Sequence, residues 1–171
     1  MKSITSKTTP VAAMIAVLSA NAIAFGDDAA HGSRSPLEGV WTLVAAEVLH
    51  PDGSVENDYG ASPKGMLIVD AEGRYSLQIM KSERKAFVSA SKAEGTPEEF
   101  KQAVMGSSTH FGTVRANLAE RTLSFAISGS SFPNWEGQIQ TRSYELSGNV
   151  LTYKVPPRPN GDIPISTWRR Q

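Results

Sequence analysis

Between Leu37 and Arg170 the chain repeats one pattern, a short period-two apolar run followed by turn residues, and it interrupts that pattern for a helical signal only once. The pattern begins with Leu37 to His50, where Trp41, Leu43 and Ala45 fall on one side of an extended strand. Gly39, just before them, allows the backbone a tight bend under the large indole of Trp41. Such a strand needs a partner on each side. Consecutive antiparallel strands remove both exposed edges when the first pairs with the last, here Ile163 to Arg170. The expectation is an all-β, eight-stranded antiparallel up-and-down barrel with one short helix.

The other strands follow from their turns. Pro51-Asp52-Gly53 ends the first, and a polar connection runs on to Tyr59-Gly60-Ala61-Ser62-Pro63. Lys64 to Asp70 is a second strand, apolar on both faces, joined through Ala71-Glu72-Gly73 to a third, Arg74 to Met80. Tyr75, Leu77 and Ile79 share one face of the third strand and are assigned inward. Thr109 to Ala116, Arg121 to Ser128, Gln138 to Leu146, Asn149 to Val155 and Ile163 to Arg170 complete eight strands, a number whose bore is either just filled by side chains or holds one small ligand.

The helical interruption is Thr96-Pro97-Glu98-Glu99 onward, with an N-cap, proline at the first helical position, a capping-box glutamate and Gly106 as the stop. Its apolar stripe is only Phe100, Ala103 and Val104, so it lies on the barrel or across its mouth, either covering apolar surface or gating access.

The ends of the chain carry different information. Lys2 and Lys7, the apolar run Pro10 to Leu18 and the small-x-small site Ala22-Ile23-Ala24 read as a secretory signal peptide over 1–24, cleaved after Ala24 for export to the periplasm or the medium. Residues 25–36, rich in Gly, Ala, Ser and Asp, read as a flexible lead-in, and His31 within it as a solvated side chain. The barrel domain takes 37–171. No later stretch approaches the ~20 apolar residues of a membrane span, so stable membrane insertion is not expected. With no cysteine the domain depends on its core and its hydrogen-bond ladder. Without Lys2 and Lys7 the balance is 15 basic against 17 acidic side chains, which offers no clustered charge for nucleic acid.

Several motifs together resemble the bacterial and fungal lipocalin-like domain family: Leu37-x-Gly39-x-Trp41, Tyr59-Gly60-x-x-Pro63-Lys64-Gly65-x-Leu67-Ile68, Gly95-Thr96-Pro97-Glu98-Glu99, Phe111-Gly112-Thr113, Phe132-Pro133-Asn134-Trp135, Arg142-x-Tyr144-x-Leu146-Ser147-Gly148 and Trp168-Arg169-Arg170. The resemblance covers nearly all of Leu37 to Arg170. It implies a lipocalin-type barrel disposed to hold small, largely apolar molecules. It also implies that Trp41 plugs the closed end beneath an arginine of the last strand. Alternation along Ile163, Ile165, Thr167 and Arg169 would make that arginine Arg169, a structural cation–π pair worth about 0.5–2 kcal/mol. His110 and Val114 depart from the family's tendency toward aromatic residues there, which would enlarge or repolarise the cavity.

Site residues follow from which faces turn inward. The sixth strand carries Gln138, Gln140, Arg142, Tyr144 and Leu146 on one face and Ile139, Thr141, Ser143 and Glu145 on the other. The first set is assigned to the interior. A buried guanidinium is costly unless paired. Its partner is either a carboxylate of the scaffold, Glu136 or Glu47, or the acidic or carbonyl head of a ligand whose tail fills the cavity. Arg142, Tyr144, Gln140, His110, Tyr75 and Trp135 are therefore the expected ligand-binding residues. Trp135 sits in a Phe-Pro loop that either caps the barrel end or recruits something to it.

Catalytic signatures are absent from the sequence. No Gly-x-Ser-x-Gly elbow occurs, the three histidines form no metal-binding spacing, and no phosphate loop is present, so neither metal nor cofactor is expected. The sequence favours a small-molecule binder or carrier. The alternatives are an isomerase or cyclase using Tyr144, His110 or Glu136 for proton transfer, and a barrel with a filled core and a structural role.

Overall fold

The computed structural model describes residues 35–171. The leader over 1–24, its cleavage site, and residues 25–34 of the lead-in with His31 lie outside the described residues. Nine strands and one α-helix follow in order: β1 Gly39–Leu49, β2 Val55–Glu56, β3 Lys64–Val69, β4 Arg74–Met80, α1 Pro97–Met105, β5 Ser107–Asn117, β6 Thr122–Ser130, β7 Ile139–Ser147, β8 Val150–Lys154 and β9 Ile163–Arg170. A single 3₁₀ turn, Pro133–Trp135, lies between β6 and β7. Every pairing is antiparallel. β2 is a two-residue addition to the end of β1, and the other eight strands form a ring that β1 and β9 close, from Trp41↔Arg170 to Leu49↔Ile163. First-to-last closure and the eight-strand ring match the expectation from the sequence.

Turn chemistry fixes the register locally. In the β3–β4 hairpin the Gly73 N–H donates to the Asp70 carbonyl at 3.0 Å while the Asp70 carboxylate accepts the N–H groups of Glu72 and Arg74. Gly73 has φ +82°, and a Cβ there would stand 2.7 Å from the Val114 carbonyl oxygen. Glycine is thus required both for the left-handed backbone and for the close approach of β5.

Alternation then sorts side chains between core and solvent. Tyr75, Leu77 and Ile79 of β4 are buried, as their spacing predicts. β1 departs from the simple reading. A bulge between Leu43 and Ala45 adds a residue, so Trp41 and Leu43 face in before it and Ala46 and Val48 after it. The expected inward residue Ala45 gives way to Ala46, because a bulge shifts the phase of everything beyond it.

The closed end is a stack of large side chains. Trp41 and Trp168 are fully buried, Trp168 stacks on Tyr153 at 6.4 Å with the ring planes 29° apart, and the Trp41 indole N–H donates to the Leu37 carbonyl at 2.8 Å. The arginine over Trp41 is Arg170 and not Arg169. Its guanidinium carbon is 4.4 Å from the ring centroid, and Nη1 and Nη2 donate to the carbonyls of Glu38 and Pro36, each at 2.7 Å. Arg169 is exposed. The expectation failed on strand phase. β9 buries Ser166 and Trp168, so Arg170 continues that side and Arg169 is carried outward. Gly39 adopts a backbone conformation that side chains rarely take. Its φ is +134°, and a Cβ would make only ordinary contact, 3.7 Å, with the Arg170 side chain.

α1 forms from the capping box anticipated in the sequence, with Glu99 N–H donating to Thr96 Oγ1 at 3.2 Å and Thr96 N–H to Glu99 Oε2 at 2.7 Å. None of its residues is buried. Phe100 meets Phe87 edge-on at 5.5 Å, so the helix rests on the 81–95 segment outside the barrel. No helix among the described residues is long and apolar enough to cross a membrane.

Candidate functional site

The end of the barrel opposite Trp41 is not filled. A cavity of about 240 Å³ opens there between the inner faces of β4 (Leu77, Ile79), β5 (Ser108, His110), β7 (Gln140, Arg142), β8 (Tyr153) and β9 (Ser166). Tyr59 and Trp135 reach it from loops. Asp58 and Arg158 also border it and join to each other across the rim at 3.2 Å. No residue of α1 lines it.

Arg142 reaches this interior by the alternation read from the sequence, and it is buried. Its Nη2 donates to Gln140 Oε1 at 2.8 Å and lies 3.3 Å from His110 Nε2. The guanidinium carbon sits 4.2 Å from the Phe125 ring centroid and 4.9 Å from that of Tyr153. Its Nε is buried and has no hydrogen-bond partner. Neither scaffold carboxylate considered from the sequence pairs with it. Glu136 is exposed and accepts the Ser130 N–H at 3.2 Å, Glu47 makes no ion pair with it, and among the described residues no carboxylate lies within salt-bridge distance. Two aromatic faces, each worth about 2 kcal/mol or more to a desolvated cation, offset part of the burial cost and leave the counter-charge unsupplied.

His110 fixes the other side of that guanidinium. An arginine can only donate, so Nε2 of His110 presents its lone pair to Arg142 and Nδ1 carries the proton. Nδ1 then donates to the Tyr75 hydroxyl oxygen at 2.7 Å. Burial first, and the Arg142 charge second, pull the imidazole pKa down to about 3. Burial pushes the Tyr75 phenol up. Tyr75, His110 and Arg142 are therefore a hydrogen-bonded chain in which the imidazole is neutral at ordinary pH. Of the three groups considered for proton transfer, His110 has both nitrogens engaged, Glu136 sits on an exposed loop, and Tyr144 does not line the cavity.

Four of the six expected ligand-binding residues, His110, Trp135, Gln140 and Arg142, line the cavity. Tyr75 stands behind His110, and Tyr144 is buried without contributing to the lining. Trp135 folds back over the rim, half-buried and edge-on to His110 at 6.1 Å and to the more exposed Phe132 at 5.5 Å. Sequence reasoning missed Tyr59 and Tyr153. Tyr153 was recoverable, since Leu151 and Tyr153 alternate on β8 and both are buried. Tyr59 lies in a connection without periodicity, where only the loop's fold brings it to the rim. Burial raises its phenol pKa, and the neighbouring Ser108 opposes that shift.

A family model described as a lipocalin-like domain matches residues 38–171, which is the whole barrel. Comparison with curated proteins and with solved structures returned no match.

Proposed function

The chain belongs to the lipocalin-like domain family, and from that premise we propose that it is an exported carrier that holds a small hydrophobic or amphipathic molecule in the mouth of its barrel. The observation that carries this reading is the buried Arg142 guanidinium, which borders an open cavity and has no carboxylate partner among the described residues. An acidic or carbonyl head group there would supply what the scaffold omits.

Magnitudes divide the work between the two halves of such a ligand. Apolar burial contributes about 25 cal/mol per Å², while one charge-assisted hydrogen bond adds about 1.5–3 kcal/mol. The apolar part sets affinity, and Arg142 sets orientation and head-group choice. Lys2, Lys7, the apolar run that follows and the Ala22-Ile23-Ala24 site support export, in the periplasm or outside the cell.

Mass spectrometry of a solvent extract of the natively purified protein tests the carrier reading. An intact small molecule in near-stoichiometric amount is the expected result. A chemically altered product would indicate an enzyme, and protein that is empty and also fails to bind neutral apolar dyes would sink the proposal.

A further inference from the structure

We infer that the cavity takes a small aromatic carboxylate, its carboxylate on Arg142 and Gln140 and its ring among Tyr59, Trp135 and Tyr153. This rests on the carrier reading and narrows it to a chemical class.

The head-group argument starts from what the β7 wall can offer. Arg142 only donates, so Gln140 must turn Oε1 toward it, and the amide NH₂ of Gln140 is left as a donor without a partner among the described residues. His110 spends both ring nitrogens within the barrel and offers no free acceptor. The Gln140 amide NH₂ and the Arg142 guanidinium thus offer only donors on this wall, which suits a two-oxygen anion and penalises an amine, while Glu47 and the Arg158-paired Asp58 are the carboxylates that also border the cavity.

Size and shape then restrict the remainder of the ligand. An apolar cavity of about 150 Å³ holds a benzene-sized molecule, and this one is about 240 Å³. A benzoate-sized acid matches that room. A decanoate tail exceeds it and would leave through a rim where Asp58 and Arg158 are paired. The walls that remain combine aliphatic side chains such as Leu77, Ile79 and Ile165 with aromatic rings. Tyr59, Trp135 and Tyr153 border the cavity with His110, and rings prefer edge-on or offset contacts with one another.

Calorimetric titration with benzoate, methyl benzoate and decanoate tests the inference, alongside a neutral apolar dye as a probe of the cavity. Benzoate is expected to bind at least ten-fold more tightly than either competitor. Arg142→Met should abolish the preference for acid over ester, and Gln140→Leu should lower it several-fold should the arginine variant fail to fold. Decanoate binding as tightly as benzoate would overturn the aromatic class and leave the carrier reading standing. Equal binding of acid and ester by the unaltered protein would overturn the head-group assignment. Dye binding with no response to benzoate would overturn the inference alone, whereas no binding by any probe would overturn the carrier reading with it.

Discussion

Arg170 lies over the indole of Trp41, its guanidinium carbon 4.4 Å from the ring centroid, and the same guanidinium ties down the two carbonyls, Pro36 and Glu38, that lead into the first strand. One side chain at the end of β9 thus fixes the start of β1, the seam at which the barrel closes. Arg170→Met should destabilise the fold by about 3 kcal/mol or more, because it removes a cation–π contact and two charge-assisted hydrogen bonds. Arg169→Met, at an exposed position, should stay within about 0.5 kcal/mol of the unaltered protein. Urea midpoints of the two variants decide the matter, and equal losses would refute the seam assignment.

Trp41 itself is fully buried, with its N–H satisfied by the Leu37 carbonyl. Trp41→Ala should cost about 3–5 kcal/mol, because the void left under Arg170 is closed in by strands that cannot collapse into it. A midpoint within error of the unaltered protein would show that the indole is not a plug.

The other end of the same seam carries a titratable pair. His50 Nδ1 meets Asp162 at 2.8 Å and Nε2 lies 3.4 Å from Glu56, linking the end of β1 to the loop before β9. The hydrogen bond to Asp162, more than any other influence, holds the imidazole pKa above its ordinary 6.5. A raised folded-state pKa gives a contribution fully present below the ordinary histidine value and lost as pH rises through the raised one. The Asp162 pKa is lowered, chiefly by His50, so its contribution is lost only as pH falls through that lowered value. The urea midpoint should therefore fall as pH rises from the ordinary histidine value through the raised one, and His50→Gln should flatten that slope. An unchanged slope in the variant would assign the pH dependence elsewhere.

Trp135 offers an optical readout of the cavity. Trp41 and Trp168 are fully buried, whereas Trp135 is half-exposed at the rim. Binding of an apolar ligand should shift or quench tryptophan emission, and Trp135→Phe should remove most of that response while leaving calorimetric binding detectable. A full response in the variant would place the ligand near another indole.

The strands, their turns and the capped helix were legible because each is a local property. Alternation in β4 and β7 placed Tyr75, Leu77, Ile79, Gln140 and Arg142 on the inner face, and Gly73 and Thr96 marked a turn and a helix start. Local signals also gave the closure of first strand on last, since full closure alone removes both edges of an up-and-down sheet.

Phase and cavity belonged to the tertiary structure. Whether Arg169 or Arg170 reaches Trp41 depends on which side of β9 the barrel buries, and two alternating sets of plausible core residues compete for that side. Trp168 takes it by packing with Tyr153 and pairing with Leu151 and Leu43 on the neighbouring strands. The bulge in β1 is likewise a response to its neighbours, and it moved Ala45 out of the place that period two assigns it. Tyr59 and Arg158 reach the rim through loop paths that no periodicity records. The missing partner of Arg142 has the same origin. A sequence can show that a charge turns inward, but the space left beside it is a difference between the bore of eight strands and the volume of every side chain they enclose, and that difference exists only once the ring has closed.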